Sequence, residues 1–234
     1  MAAAPLLAVE GLTALAPAPR GRQPQPAFTP LSFQLAAGER LAVIGSPALL
    51  STFARAVAVI DKPAKGRVRL LGGDLTRAWG GQLRTLRRAL QYVGGEGRRA
   101  LPPYAALGDV LAEPLQVHGL GRPAERRALA AEAAAAWQVN GWLLTTRAAS
   151  LSQAMCQRVA LARASLLQPQ VLVCDALTDR LEPAAAAPLL ALLDAYVTRT
   201  QLALLFLTAD PATAARLAPR TLRLDPSGLQ PYAN

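Results

Sequence analysis

LSQAMCQRVALARASLLQPQVLVCDALTDRLEP, residues 151–183, is the stretch whose reading decides the fold. A helical pattern over 155–167 gives way to an apolar strand at 171–175 that ends in Asp175, and a second helical pattern runs over 183–199. The rhythm continues beyond it, with a strand at 202–208, a helix at 211–217 and a strand at 220–224. Strands alternating with helices predict a sheet of parallel strands covered by helices, the α/β class.

Towards the N-terminus, strand-like runs occur at 6–9, 30–35, 40–45, 67–71 and 90–93, and helical patterns at 51–60, 81–89, 106–117 and 124–137. Between about 95 and 150 the strand signals stop. Alanine-rich helices such as RPAERRALAAEAAAAWQ (122–138) take over, with Pro123 suited to a first helical turn. This segment is expected to be a helical insertion into an α/β core. The proline-rich APAPRGRQPQPAF (16–28) is expected to be an irregular loop between two early strands.

Within LAVIGSPALLSTFARAV (41–57) an apolar strand, a turn and a helix follow one another. Nucleotide-binding proteins place a phosphate loop, G-x-x-x-x-G-K-[ST], in that setting. In GSPALLST (45–52), Gly45 and the pair Ser51–Thr52 match the pattern, while Leu49 and Leu50 stand in the places of glycine and lysine. Ser51 and Thr52 are expected at the helix start, where a hydroxyl more simply caps the helix than holds magnesium.

The 234 residues suit one large domain or a core with a small subdomain. With 52% hydrophobic and 17% charged residues, the chain reads as a packed protein rather than a disordered one. No apolar run is long enough to span a bilayer, and MAAAPLLAVEGL lacks the basic start and long apolar core of a secretory signal, so a cytosolic protein is expected. Cys156 and Cys174 are too few for a disulfide framework or a metal cluster, and His118 is the only histidine, so no metal site is expected. Cys174 reads as core and His118 as a surface or packing residue. The net charge of +10 comes almost entirely from scattered arginines, with 5% aromatic residues and no stacking platform. Nucleic acid is therefore not an expected partner. The arginine bias fits a GC-rich genome, and a basic face near anionic lipid headgroups is favoured over nucleic-acid binding as a functional reading of the charge.

The order of landmarks carries a resemblance to a known family. Residues 151–183 resemble the signature helix and Walker B region of ATP-binding-cassette (ABC) ATPases. LRRALQYVGGEGRRALPPYAALGDVLAEPLQVHG (86–119) is similar to the Q-loop segment of the subfamily that powers oligopeptide, dipeptide and nickel importers. EPLQVHG and QRVALARA are the words that place it there, and residues 6 to about 226 can be laid on the pattern. The resemblance implies one P-loop NTPase-like (RecA-like) nucleotide-binding domain over 1–234. Its core and β-subdomain are expected at 1–94 and 151–234, and its helical subdomain at 95–150.

Against that family pattern, the positions that carry the chemistry differ. Gly45, Ser51, Thr52 and Asp175 are remnants of the nucleotide site, and the loop is one residue shorter than the family's. The lysine is Leu50, which removes a charge-assisted contact worth about 1.5–3 kcal/mol. The carboxylate that would polarise the attacking water is Ala176, the Q-loop glutamine is Gly95 and the switch histidine is Ala209. Losing a general base costs about 10²–10⁴ in rate. The adenine-stacking aromatic aligns with Ala16 and the D-loop aspartate with Glu182. In the signature, which faces a partner's nucleotide in the family, Ser152 could still donate a hydrogen bond, whereas Gln153 and Met155 add bulk where close approach is needed. Asp175 is expected to serve as a structural hydrogen-bonding group. Asp179, Arg180 and Glu182 fit either a dimer seam or a solvated loop.

These readings imply a degenerate, non-hydrolysing ABC subunit with no catalytic residue of its own. It would pair with an active ATPase and dock on two transmembrane permease subunits at the cytoplasmic face of the inner membrane. No cofactor is expected to bind tightly, with ATP and magnesium left to the site shared with the partner. Two other readings stay open: a cassette that binds or hydrolyses ATP despite altered motifs, and a scaffold or nucleic-acid-associated protein reusing the fold.

Overall fold

The computed structural model describes residues 5–17, 21 and 23–232. Part of the proline-rich loop (18–20 and 22) and both chain ends (1–4 and 233–234) lie outside the described residues. Strands β1 (Leu7–Thr13), β2 (Leu31–Leu35) and β3 (Arg40–Ile44) lead into helix α1 (Pro47–Val57). Strands β4 (Lys65–Leu70) and β5 (Gly73–Asp74), helix α2 (Gly80–Ala89) and strand β6 (Leu90–Gly94) follow. Next come helices α3 (Leu107–Val117), α4 (Pro123–Ala136) and α5 (Gln153–Ser165), then strand β7 (Val171–Asp175) and helix α6 (Pro183–Thr200). Strand β8 (Ala203–Thr208), helix α7 (Pro211–Leu217) and the hairpin β9 (Arg220–Asp225) and β10 (Gly228–Pro231) close the chain.

The strands form a four-stranded sheet, β2-β1-β4-β5, and a six-stranded sheet, β10-β9-β3-β8-β7-β6. The first is antiparallel; in the second, β9, β3, β8, β7 and β6 are mutually parallel and only β10 runs the other way. Every residue of β7 and β8 is buried, as strands covered on both faces require. Alternation then sorts their side chains. Val171, Val173, Leu205 and Leu207 pack with α1 and with Val9, Phe33, Leu35 and Leu70 of the smaller sheet. Leu172, Cys174, Leu204 and Phe206 face α5, α6 and the helical insertion. Each fully buried side chain of this size contributes about 1.5–3 kcal/mol.

In the insertion, α4 offers a narrow buried stripe, Ala130 and Ala134. Its start is fixed by Pro123 and by the Glu125 carboxylate, which accepts the Arg122 N–H at 2.7 Å. Trp137, at its end, is buried and donates its indole N–H to the Ser165 hydroxyl at 3.0 Å, which joins the insertion to the end of α5.

One boundary differs from the sequence expectation in a way that matters. The helix expected at 51–60 begins at Pro47 and ends at Val57. Ser46 is the N-cap, so Ser51 and Thr52 sit a full turn inside the helix and cap nothing. Pro47 is pre-set for the first helical position, and Ala48, Leu49 and Leu50 are good helix formers with no glycine among them to hold a loop open.

Candidate functional site

The carboxyl ends of β3, β6, β7 and β8 bring together Gly45, Gly95, Asp175–Ala176 and Ala209, at the edge where parallel sheets of this kind place their ligands. A phosphate cradle needs consecutive free backbone N–H groups closing on an anion. Residues 45–52 offer at most the two first-turn N–H groups of Ala48 and Leu49. Pro47 has no N–H, and the Leu50 N–H is bonded to the Ser46 carbonyl at 3.0 Å. Leu50 is fully buried and packs in the apolar cluster beneath α1. A Cβ added at Gly45 would lie 2.7 Å from the Leu224 carbonyl oxygen and 3.4 Å from a Leu50 methyl, so the space inside the turn is taken by protein. No lysine or arginine occurs in 45–54, and Arg55 is paired with Asp61 at 2.6 Å.

Ser51 instead donates its hydroxyl to Asp175 Oδ2 at 2.5 Å, and Tyr92 donates to the same oxygen at 2.8 Å. Thr52 bonds back to the Ala48 carbonyl at 2.9 Å. The serine and the aspartate that the family resemblance would set around magnesium are therefore bonded to each other. Asp175 is 2% exposed, and its Oδ1 has no partner among the described residues. Burial pushes its carboxyl above the usual range, against the pull of the Ser51 and Tyr92 hydroxyls and with help from the Asp179 carboxylate. Burial, then the nearby Asp175, pushes the Tyr92 phenol up as well. As arranged here, these residues do not fit ATP with magnesium.

Ala176 holds a left-handed backbone, φ 51°, and donates its N–H to the Leu207 carbonyl at 2.9 Å. Gly95 packs directly on it, and a methyl at Gly95 would collide with the Ala176 carbonyl. Gln153 does not face outward: its carboxamide donates to the Gly95 carbonyl at 3.1 Å and fills the space above Gly97. Ser152 is exposed and caps α5, accepting the Met155 N–H at 3.3 Å. Ala209 donates its N–H to Asp179 Oδ2 at 3.0 Å, while the buried Thr208 hydroxyl donates to Asp179 Oδ1 at 2.7 Å. Glu182 stands at the N-cap of α6 without a side-chain cap bond, and Ala16 pairs only through its backbone with Gln25.

Sequence reasoning missed Tyr92, and it read Asp179 only as part of a charged run. Tyr92 reaches Asp175 because β6 and β7 are paired in register, Tyr92 opposite Val173 and Gly94 opposite Asp175. That cross-strand pairing has no local signature. A second feature lies between β6 and α2 on one side and α3 and α5 on the other. There a groove of about 440 Å³ is lined by Arg87, Tyr92, Glu113, Val117, His118 and Arg163, among others. Glu113 of α3 and Arg163 of α5 pair along one wall of it at 2.5 Å. His118, at the end of α3, is held below its usual range by burial and by Arg88 and Arg84. Among the described residues no cluster of His, Cys, Asp and Glu could hold a metal, and no helix is long and apolar enough to cross a membrane.

Residues 28–179 match the family model described as ABC transporter. The di/tripeptide transport ATP-binding protein DppF of Pseudomonas aeruginosa is 33% identical over 193 residues, covering 82% of this chain and 60% of that protein. The oligopeptide transport ATP-binding protein OppF of Haemophilus influenzae is 28% identical over 197 residues, covering 82% and 58%. The chain thus spans about 60% of the length of the curated relatives it matches. Among solved structures, the dimeric ATP-binding cassette MJ0796, in a post-hydrolysis state bound to ADP and phosphate, superposes with a TM-score of 0.83 over 96% of both chains, at 21% identity. The cassette cbiO1 of Clostridium perfringens superposes with a TM-score of 0.79 over 97% of this chain and 87% of that one, at 19% identity.

Proposed function

The chain belongs to the ABC transporter family, and from that premise we propose that it is a cassette subunit of an importer for peptides, metal chelates such as nickel, or similar small solutes, with a nucleotide site of its own that neither holds nor hydrolyses ATP. The observation that carries this reading is the filled phosphate loop. α1 begins at Pro47, Leu50 points into the core, and Ser51 is bonded to Asp175. Ala176 and Ala209 add no carboxylate and no imidazole beside it. The peptide cargo is suggested by the relatives DppF and OppF, which are named as transport proteins for di/tripeptides and oligopeptides.

On this reading the chain works as one half of a heterodimer. An active cassette supplies the phosphate loop, and the α5 end of this chain, with Ser152 exposed and Gln153 turned inward, lies opposite the partner's nucleotide. Two membrane subunits dock through the helical insertion and the 94–114 region, with the chain peripheral at the cytoplasmic face of the inner membrane. The domain division follows: 1–94 and 151–234 form the core with its β-subdomain, and 95–150 the helical part.

Titration calorimetry with MgATP and a phosphate-release assay test the site directly. The purified chain is expected to give neither heat of binding nor phosphate above background, and Ala176→Glu alone is expected to change nothing. Micromolar ATP binding would overturn the proposal and favour a cassette that works with altered motifs. Co-expression is expected to recover a second cassette ATPase and two membrane proteins with the chain. Recovery with nucleic acid that falls away with added salt would favour the scaffold reading.

A further inference from the structure

Four segments that are remote in sequence meet in one run of contacts. It starts on α1, where Ser51 bonds Asp175 at the end of β7. It passes to Ala176, whose carbonyl lies against the Cα of Gly95 so closely that no side chain fits there. It ends on α5, where Gln153 donates to the Gly95 carbonyl at 3.1 Å. Gly97 packs against the end of the Gln153 side chain from the other side. Its φ of +51° favours glycine, and a methyl there would collide with the Gln153 carboxamide.

Gln153 opens the helix that follows the insertion, while Gly95 and Gly97 lie just past the end of β6, where the insertion begins. The carboxamide therefore closes the base of the insertion as a clasp, joining its entry to its exit. Ser152 caps α5 separately, so the clasp is not needed to start the helix. We propose that Gln153 is a positioning residue that latches the helical insertion to the sheet through Gly95 and Gly97, with no ligand required. The latch goes beyond the transport reading and does not depend on it.

Amide hydrogen exchange on the whole chain tests the latch. Gln153→Ala removes the side chain; Gln153→Glu keeps its size but sets an acceptor against the Gly95 carbonyl. Gly97→Ala attacks the same contact from the opposite side. In each variant, exchange across 95–101 and 153–157 is expected to rise at least tenfold while β7 and β8 keep their protection. Unchanged protection at 95–101 in Gln153→Ala and Gln153→Glu would overturn the latch. So would uniform acceleration through β7 and β8, which marks general destabilisation rather than a local clasp. Adding MgATP to the wild-type chain is expected to leave 95–101 and 153–157 unchanged, and a change there would overturn its independence of ligand. Protection gained at 45–52 on the same addition would instead overturn the proposed empty nucleotide site, a separate result.

Discussion

Asp175 is the residue on which the site turns. Its carboxyl is buried, accepts Ser51 and Tyr92 on one oxygen and leaves the other without a partner among the described residues. Burial raises its pKa in the folded chain. A carboxyl with a raised folded pKa stabilises fully below its unfolded value of about 3.9 and loses that contribution as pH rises through the folded value. Asp175→Asn removes the titration. The melting temperature of the variant relative to wild type is therefore expected to rise between pH 4 and pH 7.5 in thermal melts, and a gap that narrows over that range would contradict the assignment. Tyr92→Phe is expected to cost about 1–2 kcal/mol in chemical denaturation, since it takes one of two donors from a buried oxygen. The family resemblance singled out Asp175 and Ser51 as site positions. That they bond each other, and that Tyr92 joins them, follows from α1 starting one turn early and from strand register, neither of which a local pattern encodes.

At the scale of the element, α1 shows why a motif can mislead a boundary. The phosphate-loop pattern led to an expected start at residue 51, whereas Pro47 and the Ala48–Leu50 run start the helix themselves. The other helices and most strands stand close to where periodicity put them, but β1, expected at 6–9, runs on to Thr13. The two-residue β5 and the β10 edge were not legible, being too short or too broken by glycine and proline to alternate. Leu50 measures how much of the packing of α1 rests on one side chain. Leu50→Ala is expected to cost about 2–5 kcal/mol, the range for a fully buried leucine. Leu50→Lys is expected to cost at least as much, because it buries a charge with no partner, and to restore no ATP binding. Urea titrations and calorimetry on the two variants check both statements.

At the scale of the whole molecule, the described residues form two large apolar clusters that share one sheet: β7 and β8 send alternate side chains into each. The helical insertion belongs to the second cluster, together with Cys174 and Phe206 of the sheet. It is therefore expected to unfold with the core rather than before it. With Trp79 and Trp142, both exposed, replaced by phenylalanine, Trp137 is the remaining tryptophan of three and reports on the insertion. Its fluorescence transition in urea is expected to coincide with the far-UV circular dichroism transition, and an earlier fluorescence midpoint would show the insertion to be an independent unit. At this scale the sequence was most readable, since alternating strands and helices with a strandless middle describe the architecture. The close approach of Gly95 to Ala176 has a further consequence, for how such a chain can change. A glutamine at 95 would strike the Ala176 carbonyl, and a lysine at 50 would be entombed among leucines. On the proposed reading, a step back towards an ATP site at either position therefore lowers stability before it returns any chemistry. If the proposed loss holds, it works as a ratchet at these two positions, reversed by substitutions made together rather than singly.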